Sequence, residues 1–352
     1  MPQSSTAVLK VRAEDAGALE LPSPYLLFLG DTIEHGYAKT AFGLRDWAPD
    51  KCIGEFALPG VGVTTGLPKL TPGEAVRAGA HGLLIAVANP GGIIPPNWIA
   101  PLVDALAAGL DLVSGMHAKL SSFPQLEVAA QLYGRRLIDI RMPPAVIPVG
   151  TGKPRSGRRL LTVGTDCALG KKYTALAIAK GLKRRGVDAD FRATGQTGIM
   201  IAGKGIPIDA VISDFVAGAA EMLTPSAPPD HIDVIEGQGS LCHPSYAAVS
   251  LGLLHGSQPD TFVVCHDPTR RRILGFPDYA VPSIEQLISI TISLGRLTSP
   301  NIRCVGISLN TSRMTAEAAD AEMTATEGQL GLPAADPIRG GPAFERLLDA
   351  CM

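Results

Sequence analysis

The stretch LLTVGTDCALGKKYTALAIAKGL, residues 160–182, decides the fold. An apolar segment runs into a glycine turn, then a Gly-Lys pair, then a segment with helical apolar spacing. Strand, glycine turn, Gly-Lys and helix in that order make a phosphate-binding loop. Gly164 and Gly170 let the backbone turn with its N–H groups pointing inward, and the helix that follows adds a partial positive charge. Lys171 supplies a point charge for a phosphate oxygen. The loop departs from the strict pattern in two ways. Five residues rather than four separate Gly164 from Gly170, with Thr165 where the first glycine would be. Lys172 stands where a Ser or Thr hydroxyl would hold Mg²⁺.

Working outward, the same alternation of apolar runs and glycine turns continues on both sides. Toward the C-terminus, residues 188–195, 231–240, 260–268 and 301–310 read as strands that end in polar or glycine loops. Helices are expected at 171–186, stopped by Gly186, and at 283–295, with further helical stretches at 313–333 and 341–352. Toward the N-terminus, 25–30, 81–92 and 111–117 read as strands, with a helix at 97–110 between the last two. Strand, helix, strand at this spacing implies a parallel sheet. Residues 141–159 are rich in Pro, Gly and Arg without periodicity and read as a linker. The expected fold class is therefore α/β, with a Rossmann-like domain at 1–145 and a phosphate-loop domain with a mainly parallel sheet at 146–352. Ligands of such sheets sit beyond the carboxyl ends of the strands.

Bulk properties narrow the class. The chain has 352 residues, 46% hydrophobic and 18% charged, with a formal net charge of -2. That suits a globular protein with a large core and gives no reason to expect nucleic acid as a partner. No apolar run reaches the ~18 residues of a membrane span. The first seventeen residues, MPQSSTAVLKVRAEDAG, lack the order of an export signal. The six cysteines include no Cys-x-x-Cys pair, which favours free thiols in a reducing compartment over a zinc site. The expectation is a cytoplasmic protein acting on small molecules, with no membrane and no metal, and as a homo-oligomer.

The GTD…GK form of the loop is similar to that of dethiobiotin synthetase and its relatives. VIEGQGS (234–240) resembles their acidic strand end, and GISLN (306–310) their final strand. By that analogy Glu236 lies beside the phosphates and Asn310 beside the base. Yet a γ-phosphoryl transfer needs Mg²⁺ to neutralise developing charge, and Lys172 cannot ligate it. Two lysines suit a phosphate that is held and not transferred, as in coenzyme A. Thr165 or Thr174 remains an alternative hydroxyl for a metal.

Taken together, GTDCALGKKYTAL, FRATGQTGIMI, DFVAGAAE, IEGQGSLCHPSY and GISLNT resemble the DgcN-type D-glutamate N-acetyltransferases, a family long known only as a domain of unknown function. The resemblance covers most of the chain. It implies transfer of the acetyl group of acetyl-CoA, as co-substrate, to the amine of D-glutamate, within D-amino-acid catabolism. Such a reaction needs a base for the ammonium, donors for the oxyanion, and cations for two carboxylates. His243 is the expected base, with Glu236 orienting it or taking its place, and Gln196 or a backbone N–H the oxyanion donor. Gly164, Thr165, Asp166, Gly170, Lys171, Lys172, Tyr173 and Asn310 are expected on the cofactor. Arg192, Gln238, Arg270 and Arg271 are expected on the amino acid. Lys39, Thr40 and His117, in loops of the first domain, are positioned to close over the substrate from the other side. Two readings stay open beside this one: an ATP- and Mg²⁺-dependent ligase or kinase, and a nucleotide-binding regulator without catalysis.

Overall fold

The structure is a computed structural model that describes residues 21–60 and 62–352. The N-terminal stretch read for an export signal lies outside the described residues. Among the described residues, no helix is long and apolar enough to cross a membrane.

The first sheet has five parallel strands: β1 Tyr25–Gly30, β2 Cys52–Ala57, β3 Gly82–Ile85, β4 Asp111–Ser114 and β5 Leu137–Asp139. Their order is β2-β1-β3-β4-β5. Every residue of β1, β3 and β4 is buried, as expected where helices cover both faces of a parallel sheet. The helix Pro96–Ala108 joins β3 to β4 and stops at Gly109, whose φ of 107° suits only glycine.

The second sheet contains β6 Arg158–Gly164, β7 Ala189–Arg192, β8 Ile232–Ile235 and β9 Thr261–His266. A short antiparallel ribbon follows, β10 Arg272–Ile273 with β11 Phe276–Ala280, and then β12 Arg303–Leu309 and β13 Ala334–Ala335. The sheet order is β13-β12-β9-β6-β8-β7, all parallel. β6 is therefore central, and its carboxyl end opens into the loop and the helix Lys171–Arg184. The stretch between β5 and β6 holds no strand or helix, as the linker reading expects, although β6 already begins at Arg158. The sequence reading did not place β2 or β5, nor the helices Lys39–Trp47, Pro124–Tyr133, Val216–Leu223 and Ala247–Ser257. The segment after β7 continues as a helix, Gln196–Ala202, and the arginine-rich segment after β9 forms the ribbon.

The faces of the second sheet have their own apolar clusters, but one core crosses the domain boundary. The core of the first domain continues into Leu176, Ala193, Ile199, Met200 and Ile201 of the second. Polar contacts cross the same seam: Thr40 Oγ1 lies 3.1 Å from Thr197 Oγ1, and Lys51 Nζ donates to the Ile201 carbonyl at 2.7 Å. Trp47 stacks on Tyr173 with ring centroids 6.0 Å apart.

The carboxyl ends of β6 and β8 meet at Gly237. Its N–H donates to Thr162 Oγ1 at 2.9 Å. A Cβ there would fall 1.7 Å from the Thr162 carbonyl oxygen, which is backbone and cannot swing aside. Gly237→Ala should therefore destabilise the protein by about 1–3 kcal/mol or more through overpacking. A lower urea midpoint at unchanged m-value is the expected result, and an unshifted midpoint would contradict this packing.

Candidate active site

A cavity of about 1010 Å³ opens beyond the carboxyl ends of both sheets, between the domains. Residues 167–173 form one wall, residues 195–197 and 236–239 the floor, and Asn310 one corner. The first domain supplies Lys39, His117 and Arg141.

The loop is built from behind as much as from the cavity side. Gly170 takes a φ of 108° at the start of the helix. The buried Lys171 ammonium turns back and donates to the Asp166 carbonyl at 2.8 Å, and burial lowers its pKa. The Asp166 carboxylate faces away from the cavity. It accepts from Cys167 N at 2.6 Å, Arg270 Nη1 at 2.9 Å and Leu274 N at 2.8 Å, so the β10–β11 ribbon braces the loop. Thr165 Oγ1 pairs with His266 Nδ1 at 2.9 Å, and Thr174 Oγ1 with Ser308 Oγ at 2.7 Å. Neither hydroxyl faces the cavity as a substitute for the one missing at Lys172. Gly164, Thr165 and Asp166 thus support the loop, whereas Gly170, Lys171, Lys172, Tyr173 and Asn310 reach the cavity wall.

Glu236 follows β8 directly and is buried. Its Oε2 accepts from Thr194 N and Gly195 N, both at 3.0 Å. Burial pushes its pKa up; Lys172 and the two amides oppose the rise without cancelling it. Lys172 is half-buried, and its ammonium lies 4.6 Å from the Tyr173 ring centroid. Burial lowers its pKa, Glu236 opposes this, and Lys39 pushes it lower still.

Gln196 and Gln238 also line the cavity, but with committed side chains. The Gln196 amide, oriented by its hydrogen-bond surroundings, donates to the Gly115 carbonyl and accepts from Arg141 Nη2 at 3.2 Å. It bridges the domains, and one of its two N–H groups is taken up by the Gly115 carbonyl. Gln238 Nε2 donates to Thr194 Oγ1 at 2.9 Å.

Besides Gly164, Thr165, Asp166 and Thr40, four expected residues do not line the cavity: His243, Arg192, Arg270 and Arg271. His243 is 2% exposed, caged by the Tyr246 and Phe276 rings. Its Nδ1 accepts the Ser245 N–H at 3.0 Å, so the neutral ring carries its proton on Nε2. Nε2 faces Asp166 Oδ1 at 3.9 Å and has no hydrogen-bond partner. A ring in that tautomer has no free lone pair with which to take a proton, which removes His243 as the expected base. Arg192 turns back along the sheet, its Nε 2.5 Å from Asp233 Oδ1. Asp233 also meets His231, which reaches Asp188. Arg270 is spent on Asp166 and on the Cys167 carbonyl at 2.6 Å, and Arg271 is exposed on the ribbon. The reason is common to Arg192 and Arg270: an arginine near a buried carboxylate or carbonyl pairs with it before it can serve a ligand.

The ligand atoms of Asp166, Cys167 and His243 lie within 4.8 Å of one another. They make a poor cation site, because Asp166 already accepts three N–H donors, His243 presents an N–H, and Arg270 and Lys171 are adjacent. The sequence reading missed Arg141 and Asp209. They form an ion pair 68 residues apart, and Arg141 Nε donates to the Gly115 carbonyl at 2.8 Å. Nothing local in either segment signals that pairing.

Comparison with known proteins places the chain. Residues 54–143 match the profile described as "Domain of unknown function (DUF1611_N) Rossmann-like domain". Residues 148–348 match "Domain of unknown function (DUF1611_C) P-loop domain". A protein of Tritonibacter scottomollicae named D-glutamate N-acetyltransferase is 49% identical over 94% of this chain and 98% of its own. One of the same name from a Pseudoalteromonas species is 44% identical over 92% of this chain and 97% of its own. The crystal structure of a DUF1611 family protein from Anabaena variabilis superposes with a TM-score of 0.83 at 32% identity, covering 93% of this chain and 98% of that one. The chain belongs to the DUF1611 family.

Arg192→Ala leaves Asp233, 1% exposed, without its closest cation. Removing one partner of a buried pair costs about 3 kcal/mol or more. The loss should appear in the thermal or urea midpoint rather than in ligand affinity; an unchanged midpoint with weakened binding would return Arg192 to the site.

Proposed function

We propose that this DUF1611 protein is an acyltransferase that moves the acetyl group of acetyl-CoA to the amine of D-glutamate, the activity for which both curated relatives are named. The observation that carries this reading is one cavity holding a phosphate cradle without a metal hydroxyl and, beside it, a buried carboxylate of raised pKa. In this reading Gly170, Lys171 and the amides of the loop hold the anionic tail of acetyl-CoA, and Asn310 lies toward its base. Glu236 is the general base in place of His243.

The steps follow from that placement. Glu236 takes a proton from the substrate ammonium, for which a raised carboxylate pKa is suited. The neutral amine attacks the thioester carbonyl, a C–N bond forms, and the oxyanion develops beside a wall that carries Lys39, Arg141, Lys171 and Lys172 against Asp209 and Glu236. Collapse breaks the C–S bond, and the CoA thiolate leaves and takes up the second proton, which the acylated nitrogen gives up as it becomes an amide. No phosphoanhydride is broken, so neither ATP nor Mg²⁺ has a part. The product belongs to D-amino-acid catabolism in the cytoplasm.

The decisive measurement is thiol release from acetyl-CoA and D-glutamate, with L-glutamate and D-aspartate as controls. Release that needs neither ATP nor Mg²⁺ is expected; release only with both would support a ligase instead. Glu236→Gln should lower kcat by about 10²-fold or more. Because Glu236 works deprotonated and its pKa is raised, wild-type kcat/KM should fall as pH drops through that raised value. This fall comes at higher pH than an exposed glutamate would give, and the Gln variant should lack it. Lys171→Ala should raise KM for acetyl-CoA, and an unchanged KM would refute the cradle.

A further inference from the structure

Of the Lys and Arg side chains on the cavity wall, two are committed. Lys171 donates to its own loop, and Arg141 is held by Asp209 and the Gly115 carbonyl. Among the described residues, no carboxylate comes within ion-pair distance of the other two, Lys39 and Lys172. They come from different domains and face the same space.

Lys171 and Lys172 cannot serve one anion in the same way. Successive helix residues point about 100° apart. Lys171 points into the loop, whereas Lys172 leaves the helix across the Tyr173 ring, toward Glu236 and the first domain. Lys172 and Glu236 line the same cavity and attract each other, and among the described residues they form no ion pair. Lys39 meanwhile repels Lys172. Two like charges lining one cavity, Lys172 half-buried and Lys39 exposed, are eased by an anion bound between them. An acid on one side and a pair of cations on the other is the charge complement of an α-amino acid, with its ammonium toward the acid and a carboxylate toward the cations.

We propose that Lys172, with Lys39 of the first domain, binds a carboxylate of the amino-acid substrate while Glu236 receives its amine. The residue in the metal-hydroxyl position is then a substrate clamp and not a phosphate ligand. This rests on the proposed function for the substrate's identity, and on the cavity alone for its charge pattern.

The test measures binding without turnover. D-glutamate is titrated calorimetrically into protein saturated with CoA, and CoA into free protein, for wild type, Lys39→Met and Lys172→Met. Met keeps the unbranched length of Lys, so the half-buried stem of Lys172 stays filled; circular dichroism checks the fold, and Lys172→Arg should recover part of the affinity. Each Met substitution should weaken D-glutamate by at least about tenfold, the loss expected of one charge-assisted hydrogen bond, with CoA affinity unchanged. Weakened CoA binding with intact D-glutamate binding in Lys172→Met overturns the clamp, as does wild-type protein that binds no D-glutamate. Wild-type protein that binds D-glutamate through both lysines yet transfers no acetyl group keeps the clamp and overturns only the acetyltransferase reading. Acetyl transfer with both affinities indifferent to the substitutions does the reverse.

Discussion

The buried carboxylate of Glu236 is the constraint around which the site is arranged. A carboxylate removed from water is costly unless hydrogen-bonded. Here the Thr194 and Gly195 amides satisfy it. They reach it only because two glycines allow the approach. A Cβ at Gly198 would lie 2.2 Å from Glu236 Oε2, and one at Gly195 would lie 2.7 Å from Gln238 Nε2. The run ATGQTG is thus a shape requirement before it is anything else. The helix Gln196–Ala202, which starts directly after these two amides, buries Ile199, Met200 and Ile201 in the core of the first domain. The carboxylate's amide partners and the domain seam thus adjoin in one short segment.

The charges around this acid divide by commitment. Asp166, Arg270 and Lys171 form a closed set that shapes the loop. Their interactions are internal, which lets a short backbone turn hold its N–H groups ready without a ligand. The uncommitted charges lie further along the cavity, where an amine and its carboxylates would come. A phosphate-loop enzyme that moves phosphoryl groups needs a mobile divalent cation at that point. A covalently attached ammonium offers weaker but fixed charge, sufficient to orient a carboxylate and unable to drive phosphoanhydride cleavage.

Much of this was legible in the sequence, because the loop, the strand ends and their glycines are local patterns. The parallel sheets, the helix after Gly170 and the polar ends of β8 and β12 follow from 160–182 and its neighbours, whereas the lateral order of the strands does not. What stayed hidden is pairing over distance. His243 looked like a base because histidine is apt for one, but its role depends on a Ser245 amide that selects the tautomer. Arg192 looked free at a strand end, yet the alternation of β7 points it back toward Asp233. Arg141 lies in a stretch without periodicity and acquires a purpose only when Asp209, in another domain, comes opposite. Sequence spacing reports the backbone, whereas the partner of a charged side chain is a tertiary fact.

The seam has one more consequence for selectivity. Telling one enantiomer of an amino acid from the other requires three of its groups to be held at once. In the proposed arrangement the amine is held by Glu236 of the second domain and the carbonyl it attacks is placed by the loop. A carboxylate is held jointly by Lys172 and by Lys39 across the seam. Two of these three anchors are fixed relative to one another by a single sheet. The third depends on the packing of Trp47 on Tyr173 and of Thr40 on Thr197. In that arrangement the handedness of the substrate would be read by the relative placement of two domains, across whose boundary one apolar core runs.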